Sequence, residues 1–413
     1  MGMQELDNVS DSVVVIGAGL AGLTAAATAA REKKPVTVVE AHIGGGRART
    51  DERDGYRFNQ GPHALYRSGR GWRILRGLKV AHRGHQPPLR GARITHRGEL
   101  VHLPGAAMGS LLAKLFSASP AKWTGRCAEE WVQSLGGAPE VAELARMVIR
   151  VVTYVADHEH MPADLAISQA KLGLRGGVSY LDGGWSTLVD GLASAASSAG
   201  AAIRIHESAI GIERCTDGWE VTLAGGEVLS AGAVVVAAGG PDAARRLLPV
   251  EPAWPELGPP VTAACLDLGL QRCHPPVVFG LDEPLYLSRH SPPGDLAPEG
   301  KAMVHVMRYG ARDARLDRTE LRTYARLAGI GDDHIVEERF LAGMVVTHLL
   351  PGVEHGLAGR PAVEVPGAPG IYLAGDWVGT SGWLADAAMA SGQRAGLLAA
   401  RAPSHRPLRP TLA

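Results

Sequence analysis

The chain has 413 residues, long for one domain and comfortable for two, and 46% of them are hydrophobic, so a large core can be buried. Lys+Arg and Asp+Glu both number 42, a balance that suggests neither a nucleic-acid nor an anionic-membrane partner. Cys127, Cys215, Cys265 and Cys273 form no C-x-x-C pair, which leaves zinc, iron–sulfur and dithiol motifs unsupported and favours a reducing compartment.

Val13 to Ala30 carries no charge and by hydropathy alone could pass for a membrane span or a signal segment. The preceding Glu5, Asp7 and Asp11 are acidic rather than basic, and three glycines interrupt the run. Leu6 stands where a myristoylation signal needs Ser or Thr. The expectation is a soluble, cytoplasmic chain. The run divides instead into a buried strand, Val13–Ile16, and an Ala-rich helix over 20–32. A second strand, Val36–Glu40, completes a βαβ opening. The abundance of Gly, Ala and Arg reads as coding bias as much as function.

Gly44 to Thr50 is a Gly/Arg loop, and 54–61 reads as a hairpin leading into Gly61-Pro62-His63. Helical stretches dominate 81–179, at 108–116, 121–135 and 141–154. A helix over 185–199, a strand over 202–206, a hairpin over 219–229 and a strand over 233–237 follow. Residues 261–364 form a mixed block. Strand Ile371–Leu373, Gly375-Asp376 and a helix over 383–400 close the chain, ahead of a Pro-containing tail from Pro403.

Gly17-Ala18-Gly19-Leu20-Ala21-Gly22 joins the first strand to its helix. The first glycine permits the tight turn, the second lets a pyrophosphate approach the backbone, and the third lets helix and strand pack. The helix N-terminus offers N–H groups and partial positive charge to phosphates. Glu40 ends the next strand, where a carboxylate accepts from ribose hydroxyls. Together these predict dinucleotide binding; a Gly-rich turn without a ligand is the plainer alternative. Gly45-Gly46-Arg47 follows closely, and its Arg can balance pyrophosphate charge. Asp376 could accept from a ribityl or ribose hydroxyl. The helix beginning near Gly382 could aim its N-terminus at a flavin ring, where reduction develops negative charge.

The set VVVIGAGLAGL, VVEAHIGGGRART, DGYRFNQGPH, YLDGGWSTLVDGLA, GAVVVAAGG and IYLAGDWVGTSGWLADAAMASGQRAG resembles the amine oxidase / phytoene desaturase / protoporphyrinogen oxidase superfamily of FAD-dependent oxidoreductases. The resemblance implies an α/β fold, with a discontinuous Rossmann-type FAD-binding domain (11–80, 180–260 and 365–402) and a mixed α+β substrate-binding domain (81–179 and 261–364). It implies that Gly17, Ala18, Gly19, Leu20, Ala21, Gly22, Glu40, Ala41, Gly45, Gly46 and Arg47 hold the ADP and pyrophosphate part of FAD. Ile210 matches the position whose backbone meets adenine, Gly61 and Pro62 the loop near the flavin, and Gly375, Asp376, Gly382, Trp383 and Leu384 the C-terminal flavin contacts. The loop from Glu40 to the Gly-Gly-Arg is one residue shorter than usual, which leaves the role of His42 open.

Amine oxidases of this fold usually set an aromatic cage before the flavin and a Lys near its N5. Trp383 matches one wall of the cage, and Val345 stands at the other. The Lys position falls near Ala264 with no Lys nearby, and Met344 stands where covalently flavinylated relatives carry Cys. The expectation is therefore noncovalent FAD and hydride removal from a small, hydrophobic substrate to form a C=C or C=N bond, with oxygen or another acceptor reoxidising the flavin. His63 is the acid–base candidate, against the plainer reading of an imidazole bonded to backbone in a turn. A flavin-dependent isomerase and a non-catalytic flavoprotein stay as alternatives. The run Asp157-His158-Glu159-His160 reads as solvated loop rather than metal ligands. Residues 105–123 read as a helix packed on the substrate domain, with a membrane contact as the weaker reading. Substrate identity, electron acceptor and oligomeric state stay open.

Overall fold

Val13–Ile16, four apolar residues, forms the centre of a five-stranded parallel sheet in the computed structural model, which describes residues 11–272 and 274–402. Cys273, the residues ahead of Asp11 and the tail from Pro403 lie outside the described residues. Across the sheet the strands run Ala202–Ile205, Val36–Glu40, Val13–Ile16, Ala233–Val236 and Ile371–Leu373. Val13 pairs with Val36 on one side and Ala233 on the other, and Val234 pairs with Ile371. Segments more than 300 residues apart thus share one sheet. The central strands are continuously apolar because both faces are covered, as in parallel sheets generally.

The helix Leu20–Arg31 packs between the helices Ser186–Ser198 and Ala385–Ala400. All of its residues but Arg31 are buried. A Cβ on Gly392 would lie 2.2 Å from Ala21 O, and one on Gly396 2.4 Å from Ala25 O. The Gly and Ala content that composition ascribes partly to coding bias therefore has a steric purpose: these two helices touch at backbone distance. The closing helix starts at Ala385, two residues later than the sequence suggests, because Leu384 takes φ +56 and ψ −132. An antiparallel meander (Ala209–Cys215, Gly218–Leu223, Val228–Ala231) adds Ile212, Trp219, Val221 and Leu223 to the same core.

A second sheet of seven strands runs in the order Ile335–Thr347, Val261–Gln271, Lys301–Tyr309, Leu285–Ser291, Val278–Gly280, Arg93–His96, Glu99–His102. Alternation sorts its two faces. Ala264, Leu266, Leu268 and Leu270 pack toward helix Ala314–Leu327, whereas Ala263 and Cys265 face Tyr286, Met307, Tyr309, Leu341 and Met344. The hairpin Arg93–His102 belongs to this sheet, so the block 81–179 is helical only from Gly105 onward. The stretch 121–135 is not one helix. It divides into a 3-10 turn, Pro120–Trp123, and a helix, Ala128–Ser134, because Gly125 turns with φ +75 and the Cys127 N–H donates to Glu130 Oε1 at 3.2 Å. A further helix, Ala163–Gly176, packs on Pro139–Thr153. Among the described residues no helix is long and apolar enough to cross a membrane. In helix Gly105–Ser117, Leu111 and Leu115 are buried against its helical neighbours.

Candidate active site and cofactor cavity

The glycine turn is fixed by backbone contact. Gly17 has φ +107, and a Cβ there would lie 2.5 Å from Ala237 O; a Cβ on Gly22 would lie 1.9 Å from Gly17 O. Gly19 differs: a Cβ there meets nothing within 4 Å and would project into open space. Glu40 braces the turn from below, accepting from Ala18 N at 2.8 Å through Oε2 and from His42 N at 2.9 Å through Oε1. Each oxygen keeps a further lone pair for a ribose hydroxyl. Gly44, Gly45 and Gly46 all take positive φ, and Gly45 N donates to Ala18 O at 2.8 Å, laying this loop against the turn.

Both features border a cavity of about 750 Å³. Gly17, Gly19, Leu20, Ala21, Glu40, Ala41, Gly45, Gly46, Arg47, Pro62, His63, Gly375, Asp376 and Leu384 line it. The remaining residues expected from the sequence stand elsewhere. Ala18 and Gly22 lie behind the wall, in the turn itself. Gly61 lies beneath Met344, whose Sδ would be 2.5 Å from a Cβ there. The Ile210 side chain is 58% exposed, and its neighbours Ser208 and Ala209 line the cavity in its place. Gly382 accepts from Arg360 Nη1 at 3.0 Å. The left-handed turn at Leu384 brings Leu384 to the cavity and leaves Trp383 in the helical core. There its indole donates to Thr153 O at 3.0 Å and lies under the Arg360 guanidinium at 5.1 Å. Trp383 is thus not a wall of this cavity, unlike its sequence position suggests; Val345 does line it.

Arg47 and Asp376 meet across 329 residues of sequence, with Nη2 2.9 Å from Oδ2. Arg47 Nη1 also donates to Val346 O at 2.8 Å, and His348 Nδ1 lies 2.9 Å from Asp376 Oδ1. Arg47 Nη2 lies 3.1 Å from the same nitrogen, so His348 Nδ1 stands between a donor-only guanidinium and an acceptor-only carboxylate. Burial would raise the Asp376 carboxyl, but the Arg47 charge and the His348 hydrogen bond outweigh it and hold the group well below the usual carboxylate range.

His63 reaches Gly61 O through Nδ1 at 3.0 Å. The carbonyl only accepts, so the proton sits on Nδ1 and Nε2 is the imidazole's acceptor. Desolvation lowers this imidazole to about 4, so it is neutral near pH 7. Its ring meets Trp185 edge-on at 4.8 Å. Tyr154 closes the same region from φ +64, a strained conformation for an aromatic residue, and donates to Pro62 O at 2.6 Å. Tyr154 and Leu384 are the two non-glycine residues of positive φ in the cavity wall among the described residues, and such strain concentrates at ligand sites.

Sequence reasoning missed Gln60, Tyr154, Trp185, Glu207, His348 and Asp386, all of which line the cavity. Trp185 and Asp386 lie inside motif stretches and could have been found there. Tyr154 and His348 carry no local signal, because only packing brings them in. Ala264 faces helix Ala314–Leu327, and Ala263 and Cys265 face toward Met344. His160 bonds Asp157 at 2.7 Å on an exposed loop, while His158 is buried. Elsewhere Cys265, Asp267 and His305 bring ligand atoms within 4.8 Å of one another, although Arg339 already neutralises Asp267.

The family model described as flavin containing amine oxidoreductase matches residues 20–396. The chain belongs to this family and is an FAD-dependent oxidoreductase. Among solved structures it is similar to an oxidoreductase from Methanosarcina mazei, with a TM-score of 0.73 at 17% identity over 93% of this chain and 99% of that one. It is also similar to cyclohexylamine oxidase from Brevibacterium oxydans IH-35A, with a TM-score of 0.67 at 18% identity over 95% and 98%. A putrescine oxidase bound to putrescine gives a TM-score of 0.69 at 15% identity over 94% and 98%. Among curated proteins none matches the chain.

The cavity suits FAD on its own geometry. The space beyond Gly19 admits a pyrophosphate at a helix N-terminus, Glu40 stands one strand away for a ribose, and Arg47 supplies positive charge between them.

Proposed function

We propose that this protein holds FAD noncovalently in the 750 Å³ cavity and uses it to oxidise a small, neutral, largely apolar substrate by two electrons, forming a C=C or C=N bond. One observation carries the substrate reading: all four carboxylates in the cavity wall are already engaged. Glu40 accepts from Ala18 and His42, Glu207 pairs with Arg204 at 2.6 Å, Asp376 pairs with Arg47, and Asp386 caps the helix Arg70–Gly77 through Arg70 N and Gly71 N. Glu207 and Asp376 are thus paired with arginines and Glu40 and Asp386 are taken up by backbone N–H groups, so no carboxylate in the wall stands without a partner to receive an ammonium group, and burying an unpaired charge would cost several kcal/mol, about 3–5 in a comparable buried site.

In this reading Gly17, Gly19, Leu20, Ala21, Glu40 and Ala41 bind the adenosine and pyrophosphate end, with Gly45, Gly46 and Arg47 over the phosphates. Asp376 and Gly375 face the ribityl chain, and Pro62, His63 and Leu384 border the isoalloxazine. Met344 is a thioether that forms no bond to flavin, which supports noncovalent attachment. FAD supplies the two-electron acceptor when bound; the chain excludes water with Tyr154, Trp185, Val345 and Leu384 and keeps the neutral His63 Nε2 as a hydrogen-bond acceptor beside the substrate. Oxygen or another acceptor then completes the cycle.

The test is an anaerobic panel of neutral reduced ring systems and polyenes beside mono- and diamines, read at the flavin absorbance. Bleaching by neutral compounds and not by diamines is the expected result. Rapid bleaching by a diamine would overturn the substrate reading.

A further inference from the structure

The seven-stranded sheet buries a second polar cluster next to the cavity. Asp267, wholly buried, receives Arg339 through Nη2 at 2.6 Å and Nε at 2.9 Å on Oδ2, while His305 Nδ1 lies 2.5 Å from Oδ1 and the Cys265 thiol 3.1 Å. His305 therefore donates from Nδ1, and its Nε2 is buried without a hydrogen-bond partner. His290 meets the His305 ring edge-on at 4.4 Å, stacks on Tyr180 at 3.6 Å, and likewise has a buried Nδ1 without a partner.

The cluster is wired to the cavity. Gln60, in the cavity wall, donates to Asp51 Oδ2 at 2.9 Å; Arg339 Nη1 reaches the same oxygen at 2.9 Å. The line runs Gln60, Asp51, Arg339, Asp267, His305, and Asp51 is partly exposed. Arg339 also holds Asn59 O, two residues before Gly61. His63 feels the charges of His305 and Asp267 directly.

We propose that His305, held by Asp267 and facing His290, is an internal proton acceptor coupled to the cofactor cavity, taking up one proton when the bound flavin gains an electron pair. This rests on the FAD reading above. The hydride, with both electrons, comes from the substrate and leaves the cofactor one negative charge richer. The proton comes from solvent, adds to the His305 Nε2 lone pair and restores neutrality; no bond to carbon changes. The surrounding charges are otherwise paired: Asp267 with Arg339, Asp51 with Arg49 and Arg339, and Arg47 with Asp376. Cys265, Ser288, Tyr180 and Tyr286 are the other ionisable or polar groups beside them. Burial keeps His63 and His290 neutral. Of these three imidazoles His305 is the one bonded to a carboxylate, which holds its Nδ1–H and leaves the Nε2 lone pair free.

The experiment is a spectroelectrochemical titration of FAD-loaded protein, wild type and His305→Asn, from about pH 6 to pH 9 around the imidazole range. The asparagine amide keeps a donor for Asp267 and cannot take up the proton. The midpoint potential of the wild type should fall more steeply with pH than that of the variant, by about 30 mV per pH unit, a tenfold change per proton in a two-electron couple. His305→Gln serves as the second variant, with the same expected loss of slope. His290→Phe, which retains an aromatic ring for Tyr180, should keep the wild-type slope. Equal slopes in wild type and His305 variants overturn the inference and leave the cavity reading standing. A wild-type protein that takes up no FAD overturns both.

Discussion

Substituting Gly61 by alanine forces a Cβ into the space under Met344. Gly61 has φ +87, in the left-handed half of backbone space, where a side chain costs about 1–2 kcal/mol. The new Cβ would stand 2.5 Å from Met344 Sδ and 2.7 Å from Cε, so the thioether must leave its rotamer, at a further ~0.5–1.5 kcal/mol. The total, about 1.5–3.5 kcal/mol, falls on the loop that carries Pro62 and His63, and corresponds to roughly a 10- to 300-fold loss of FAD affinity if the loop is seated only in the loaded protein. Met344→Ala removes the clash and leaves the backbone strain. In that background Gly61→Ala should be milder by ~0.5–1.5 kcal/mol, the coupling energy of the pair. Both quantities are read by titrating apo-protein with FAD through quenching of flavin fluorescence, with thermal midpoints of the four apo-proteins alongside. Strict additivity in both measurements would refute the packing of Met344 over Gly61, and with it the seating of this loop against the strand Ile335–Thr347.

Glu40→Ala removes the acceptor of two backbone N–H groups and of a ribose hydroxyl, and should weaken FAD binding by about 1.5–3 kcal/mol per charge-assisted bond lost; an unchanged dissociation constant would exclude Glu40 from the site. Asp376 is held below its unfolded carboxyl value, so its stabilising contribution is present above about pH 4 and is lost as pH falls through the folded value; Asp376→Asn should lower stability at pH 7 and flatten the acid limb of a Tm–pH curve. His158 is lowered to about 4 by burial, so its contribution is full above an unfolded value near 6.5 and is lost as the pH drops from there to about 4. His158→Phe should reduce the fall in stability across that window by at most ~3 kcal/mol in denaturant titrations. Acid precipitation of the loaded protein should leave all flavin in the supernatant; flavin retained in the pellet would contradict noncovalent attachment.

The sequence by itself determined the cofactor half of this protein. Gly22 and Glu40 belong to a local unit in which strand, turn and helix follow one another, so the backbone contacts that demand them lie within about one βαβ unit and leave a readable pattern, while Gly17 is pressed by Ala237 from a distant strand and is legible through its place in the same motif. The Arg47–Asp376 pair was legible only as two separate motifs, because the sheet that unites them is completed by a strand 300 residues away. Tertiary structure alone decided the rest. Leu384 lines the cavity as expected, but Trp383 turns into the helical core because Leu384 adopts a positive φ, which no composition rule predicts for leucine. His305, Asp267, Arg339 and His290 come from strands whose alternation looks like ordinary sheet, and His348 and Tyr154 from segments without a motif. Their meeting depends on strand register across the seven-stranded sheet, where a slip of one residue would turn each side chain to the opposite face.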